Sequence, residues 1–79
     1  MKFEIYGSGC RKCAELEKRA KDAIAVAGVS ADVEHVYDMN KIIAKGIYVT
    51  PALAIDGKVI ATGKIPSVDE IVAIIKGAS

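Results

Sequence analysis

The stretch Ile5-Tyr6-Gly7-Ser8-Gly9-Cys10-Arg11-Lys12-Cys13 decides the fold, because it joins a strand pattern to a helix pattern through a short turn. Residues 2–6 place Phe3 and Ile5 on one face, the period of two that is typical of a β-strand. From about residue 11 to residue 27, apolar residues recur at helical spacing. We therefore predict a strand and then a helix, with two cysteines at their junction.

The rest of the chain predicts five further elements. They are a strand over Asp32 to Tyr37, a short helix over Met39 to Lys45, and a hairpin of Ala52 to Ile55 and Lys58 to Thr62 that turns at Asp56-Gly57. A last helix follows the capping box of Ser67 and Glu70 and ends before Gly77. The helix between the first two strands makes them parallel. The order βαβαββα predicts a single α/β domain over residues 1–79, with a four-stranded mixed sheet sandwiched by three helices.

Composition excludes several classes of protein. Of 79 residues, 52% are hydrophobic and 27% charged, and the net charge of +1 with few aromatic residues argues against nucleic-acid binding. The N-terminal stretch lacks the apolar core of a signal peptide, and no apolar run is long enough to span a bilayer. We expect a cytoplasmic protein that does not bind membranes.

The two cysteines point to thiol chemistry, since cysteines three positions apart cannot join distant parts of a chain. Cys10 lies where the first helix begins, near unpaired backbone N–H groups and the positive end of the helix dipole. Arg11 and Lys12 add positive charge, so Cys10 should ionise readily and act as the attacking thiol. Cys13, one helical turn further on, would be the resolving thiol.

The chain resembles the thioredoxin and glutaredoxin superfamily, most closely its short glutaredoxin-like thioredoxins from microbes. The resemblance covers essentially the whole chain and depends on the CxxC motif after a first strand, the element order, and Val49-Thr50-Pro51 before the hairpin. It implies a thioredoxin-like fold and thiol–disulfide oxidoreductase activity without a bound cofactor. It also implies a cis proline at Pro51, and places Thr50 and Pro51 in a substrate-docking role.

The resemblance implies redox partners of two kinds. The substrates would be disulfide-containing proteins or small disulfides. The electron donor would be a flavoenzyme similar to thioredoxin reductase, glutathione or a small thiol. We expect the chain to act as a monomer.

Other residues carry weaker hypotheses. Glu4 lies six residues before Cys10, a spacing at which thioredoxins often keep a buried acid that assists proton transfer, although any strand can carry such a residue on its face. Tyr6 and Tyr48 are candidates for contact with substrate, although aromatic residues at strand ends usually belong to the core. The glycines around Ser8 would let the backbone pass close to the thiols. His35 is expected to be a packed or surface residue.

Two alternatives compete with exchange chemistry. Two thiolates at CxxC spacing can bind a soft metal such as Cu(I), or share a zinc with a partner, so the chain could be a metal carrier or a redox-switched interaction module. A closed zinc site needs four ligands, and the chain offers two cysteines and a distant histidine. The cysteines could also be incidental core residues.

Overall fold

The alternating and helical patterns form a four-stranded sheet with helices on both faces. The computed structural model describes residues 1–7 and 11–78. The strands are β1 Lys2–Tyr6, β2 Asp32–Val36, β3 Ala52–Ile55 and β4 Lys58–Thr62. The helices are α1 Arg11–Ala27, α2 Met39–Ala44 and α3 Val68–Ala78. The predicted order βαβαββα is confirmed.

The sheet has the strand order β2-β1-β3-β4. β1 pairs in parallel with β2, as the intervening helix requires, and antiparallel with β3. β3 and β4 form an antiparallel hairpin whose register shifts at Leu53 and Ala54. β1 is thus an inner strand, and its C-terminal end leads towards the cysteine motif.

Helix α1 forms where the apolar spacing predicts it. Its buried positions repeat every three or four residues, and they are Cys13, Leu16, Ala20 and Ala23. On its outer surface, Glu15 pairs with Arg19 at 3.1 Å and Glu17 with Lys21 at 3.3 Å, both at i, i+4. The predicted capping box at the start of α3 is also present, because the Glu70 N–H donates to Ser67 Oγ at 3.1 Å.

Three element ends differ from the prediction by one residue or a few. β2 ends at Val36, and the ring of Tyr37 stacks on His35 with centroids 4.1 Å apart. α2 ends at Ala44, and Lys45 is its C-cap. α3 continues through Gly77 to Ala78, although the apolar stripe ends before that glycine. These shifts leave the topology unchanged.

The core is divided between the two faces of the sheet. The larger part lies between the sheet and helices α1 and α3, and includes Phe3, Ile5, Leu16, Leu53, Ile71 and Ile75. The smaller part lies on the other face with α2, and consists of Tyr6, Ile42, Ile47, Ala52 and Ala54. Alternation along β1 therefore sends Ile5 and Tyr6 to opposite layers. In the described part of the chain, no helix is long and apolar enough to cross a membrane.

Replacing Leu16 tests the larger core. Leu16→Ala should lower the free energy of unfolding by about 2–5 kcal/mol, because Leu16 is fully buried and the truncation leaves a cavity. Val26→Ala is the control on the same helix, since Val26 is 68% exposed and should change stability by no more than about 0.5 kcal/mol. Urea unfolding followed by circular dichroism measures both, and equal effects would contradict this packing.

Candidate functional site

Cys13 is the cysteine that the structure describes. It is the third residue of α1, and its side chain is fully buried. Arg11 and Lys12, which precede it in the first turn, are both exposed. The prediction that Cys10 is the attacking thiol falls outside the described residues. The helix start thus carries one buried sulfur with two exposed cationic residues before it.

Gly7 allows Cys13 to lie close to the end of β1. The Cβ atom of an alanine at this position would overlap with Cys13 Sγ and would lie 3.8 Å from Thr50 Cβ. The Gly7 N–H donates to the Val36 carbonyl at 3.1 Å, which continues the pairing of β1 with β2. The prediction that a glycine lets backbone pass close to a thiol is confirmed at Gly7. Cys13 and Thr50 therefore both lie beside Gly7.

The Thr50–Pro51 peptide bond is cis, as the resemblance implies. Thr50 is exposed and Pro51 is buried, so this turn presents a polar residue towards solvent beside Cys13. The Pro51 carbonyl accepts a hydrogen bond from the Gly63 N–H at 2.9 Å. Val49 fills the space beside Gly63, where a side chain would overlap with its Cγ1. Three chain segments consequently converge around Cys13 and the Thr50–Pro51 turn.

The turn before Pro51 carries exposed apolar surface. Tyr48 is 84% exposed and Val49 is 56% exposed. The hypothesis that Tyr6 contacts substrate is wrong, because Tyr6 is only 4% exposed and packs in the smaller core layer. Tyr48 remains a candidate for contact with a partner.

Glu4 lies on the face of the sheet that α2 covers. Because side chains alternate along β1, Glu4 shares this face with Tyr6, whereas the buried side of α1 packs on the opposite face. The carboxylate of Glu4 accepts a hydrogen bond from the Tyr6 hydroxyl, and Glu34 is the register partner of Glu4 on β2. The role of Glu4 as a proton relay to Cys13 stays a prediction.

The environment of Tyr6 opposes ionisation of its hydroxyl. Burial raises the pKa of Tyr6 above its ordinary value, and the nearby carboxylates of Glu4 and Glu34 act in the same direction. The hydrogen bond to Glu4 adds to this effect. Tyr6 therefore stays neutral and acts as a donor at physiological pH.

Sequence reasoning missed two contacts because each joins residues far apart in the chain. Gly63 binds the Pro51 carbonyl, and the only sequence signal was a glycine after the last strand. His35, expected to be a packed or surface residue, is mostly buried with its Nδ1 3.2 Å from Glu17 Oε1 on α1. Within residues 1–7 and 11–78, no group of three or more His, Cys, Asp or Glu side chains could hold a metal ion.

The fold and the site define a protein of thioredoxin-like architecture, in which a cysteine in the first turn of α1 and a cis-proline turn lie beside the same glycine. A family model for the thioredoxin domain matches residues 1–76. The chain is 39% identical over 75 residues to a thioredoxin of Methanothermobacter thermautotrophicus, covering 95% of this chain and 97% of that protein. It is 41% identical over 69 residues to a thioredoxin of Methanocaldococcus jannaschii, covering 87% and 79% respectively. The chain belongs to the thioredoxin family.

Replacing Gly7 tests its close approach to Cys13. Gly7→Ala should lower the free energy of unfolding of the reduced protein by about 1–3 kcal/mol, because the added methyl group overlaps with the buried sulfur. Gly77→Ala is the matched control, since its Cβ would meet no atom within 4 Å and alanine favours a helix. Urea unfolding under reducing conditions compares them, and a neutral Gly7→Ala would contradict the contact.

The raised pKa of Tyr6 predicts a loss of stability at alkaline pH. A hydroxyl whose pKa is higher in the folded state stabilises the fold fully below the unfolded-state pKa of about 10, and this contribution is lost as pH rises through the folded-state value. The free energy of unfolding, measured with urea above pH 10, should therefore fall less in Tyr6→Phe than in the unmodified protein. Tyr48→Phe, at an exposed position, should keep the full decrease, and identical curves for all three would contradict the prediction.

Proposed function

We propose that this protein is a dithiol–disulfide oxidoreductase that uses Cys10 and Cys13 to reduce disulfides of proteins or small molecules. The observation that carries the proposal is the position of Cys13, buried in the first turn of α1 against Gly7 and close to Thr50. Membership of the thioredoxin family and the two relatives named thioredoxin support the same chemistry.

The start of α1 suits a thiolate at Cys10. A helix of 17 residues presents unpaired N–H groups and the positive end of its dipole at its N-terminus, where negative charge is stabilised. The exposed cationic side chains of Arg11 and Lys12 follow directly and act in the same direction. Cys10 precedes both in the sequence, so it is the thiol that these charges favour as a nucleophile.

Exchange proceeds in two balanced steps. In the first, the Cys10 thiolate attacks one sulfur of the substrate disulfide, a bond forms between those sulfurs, and the other substrate sulfur leaves as a thiolate that takes a proton. In the second, Cys13 loses its proton and attacks Cys10 Sγ, and the first substrate sulfur leaves. That sulfur also leaves as a thiolate and takes a proton, so the substrate disulfide gains two electrons and two protons. The protein dithiol loses them and becomes a disulfide between Cys10 and Cys13.

Burial gives Cys13 the properties of a resolving thiol. A sulfur without solvent exposure cannot meet a bulky substrate disulfide, but it can attack a neighbouring sulfur within the same motif. The mixed disulfide therefore forms at Cys10, and attack by Cys13 then releases the substrate from it. This division of labour makes the two cysteines non-equivalent.

The substrate would dock on the turn before β3. Tyr48 and Val49 offer exposed apolar surface, and Thr50 is exposed beside Cys13, so an extended substrate segment could lie along this turn. An electron donor must then reduce the disulfide, and a flavoenzyme, glutathione or a small thiol has the required chemistry. We also propose that the protein is cytoplasmic and acts as a monomer.

Single-cysteine variants test the assignment of the two thiols. Cys13→Ser should accumulate a stable mixed disulfide with a substrate, because Cys10 can still attack and nothing releases the product. Cys10→Ser should form little adduct, since the remaining thiol is buried. Mass spectrometry after mixing each reduced variant with 5,5′-dithiobis(2-nitrobenzoic acid) measures the adduct, and the doubly substituted chain is the control.

The reverse pattern of adducts would exchange the roles of the two cysteines. A redox titration of the unmodified, metal-free protein should show one two-electron transition, near the thioredoxin value of roughly −270 mV for a reductase. If no intramolecular disulfide forms at any potential, exchange is excluded and metal binding by the two thiols becomes the leading account.

A further inference from the structure

The segment Gly63–Pro66, which joins β4 to the start of α3, forms part of the surface around the candidate site. At one end, the Gly63 N–H is bonded to the Pro51 carbonyl and Val49 packs where a side chain at Gly63 would lie. At the other end, Pro66 is buried and precedes the Ser67 cap of α3. This segment therefore lies next to the proposed docking turn.

Arg19 fixes the far half of this segment to α1. Its Nη1 donates to the carbonyl oxygens of Ile65 at 3.2 Å and Pro66 at 3.3 Å. Its Nε donates to Glu15 Oε1 at 3.1 Å, one helical turn earlier on the same face. One side of the guanidinium thus binds a carboxylate of its own helix, and the other side binds the segment. Lysine cannot make both sets of hydrogen bonds, because its ammonium lacks the planar array of donors.

These contacts form a continuous connection from α1 to the docking turn. Arg19 holds Ile65 and Pro66, the segment leads back to Gly63, and Gly63 holds Pro51 through its N–H. Cys13 lies on the same helix as Arg19, six residues before it. Two connections therefore constrain the distance between the N-terminal end of α1 and the docking turn. One is the contact at Gly7, and the other is the set of hydrogen bonds of Arg19.

We propose that Arg19 is a positioning residue for protein substrates, which holds the segment Gly63–Pro66 against α1 so that the docking turn stays aligned with the cysteine motif. The inference rests on the proposed function. A protein disulfide brings flanking polypeptide that must lie across the docking turn and the segment bonded to it. A small aromatic disulfide needs only to reach the Cys10 sulfur. Arg19 therefore affects the first class of substrate and not the second.

The hydrogen bonds of Arg19 are not needed for the fold itself. Ile65 packs against the larger core, Pro66 is buried, and Ser67 caps α3, so the ends of the connection have other anchors. Gly63 and Lys64 are exposed, so burial in the core does not hold them in place. Loss of the Arg19 contacts should consequently loosen this segment locally while the sheet keeps its packing.

The test compares two disulfides with Arg19→Met. The variant is reduced, freed of reductant, and mixed in single turnover with insulin or with 5,5′-dithiobis(2-nitrobenzoic acid). The rate constant for insulin should fall by about three- to tenfold, the size expected for the loss of one ordinary hydrogen bond, while that for the small disulfide stays the same. Arg19→Lys should show a smaller loss, because an ammonium keeps the charge without the planar donors.

Lys21→Met is the matched control, because Lys21 is a cation of the same helix that pairs with Glu17. It should leave both rate constants at the unmodified values. Hydrogen exchange adds a second readout, in which the Gly63 amide should exchange faster in Arg19→Met while the amides of β1 and β3 do not change.

Three outcomes would overturn the inference. They are an equal fall of both rate constants, no fall of either, and faster exchange throughout the sheet, which would assign Arg19 a role in overall stability. Failure of the proposed function gives a different result, because the unmodified protein would then reduce neither disulfide.

Discussion

The close approach of α1 to the end of β1 is the contact on which the arrangement of the site depends. At this point the chain has no side chain at Gly7, and the sulfur of Cys13 occupies the space that a methyl group would need. The same glycine continues the pairing of β1 with β2 through its N–H. Interiors are packed so densely that even one added carbon atom would have to move the helix, the strand or the sulfur. The absence of a side chain at Gly7 therefore allows α1 to begin at this position.

The core is divided between two layers, so the two faces of the sheet pack against different helices. Helices α1 and α3 share the layer that holds Phe3 and Ile5, and Cys13 is among the buried residues of α1. The α2 layer contains Tyr6, with Glu4 on the same face of β1. A strand that alternates strictly cannot send neighbouring residues to one side. Glu4 and Tyr6 consequently lie on the face of the sheet opposite the layer that α1 packs against.

Local patterns were sufficient to predict the elements but not the contacts between them. The hairpin at Asp56-Gly57 was predictable because both residues adopt positive φ, of 51° and 85°, which this residue pair tolerates. The pairs on α1 and the Ser67 cap followed from fixed spacings of three and four residues. Arg19 pairs with Glu15 at the i, i+4 spacing of a helix, yet the same side chain also binds carbonyls 46 and 47 residues away. No spacing rule encodes such a contact, since it depends on how the completed layers lie together.

The hairpin has a further consequence for how the molecule behaves among its own copies. β4 lies at one side of the four-stranded sheet, and a strand in that position can recruit strands from other molecules. Here the register shift opposite Leu53 and Ala54 interrupts the regular ladder, and the exposed Lys58 begins the strand. Irregular pairing and an outward-facing cation both make an additional strand fit poorly. The register shift and Lys58 thus both disfavour growth of the sheet by addition of strands at the β4 edge.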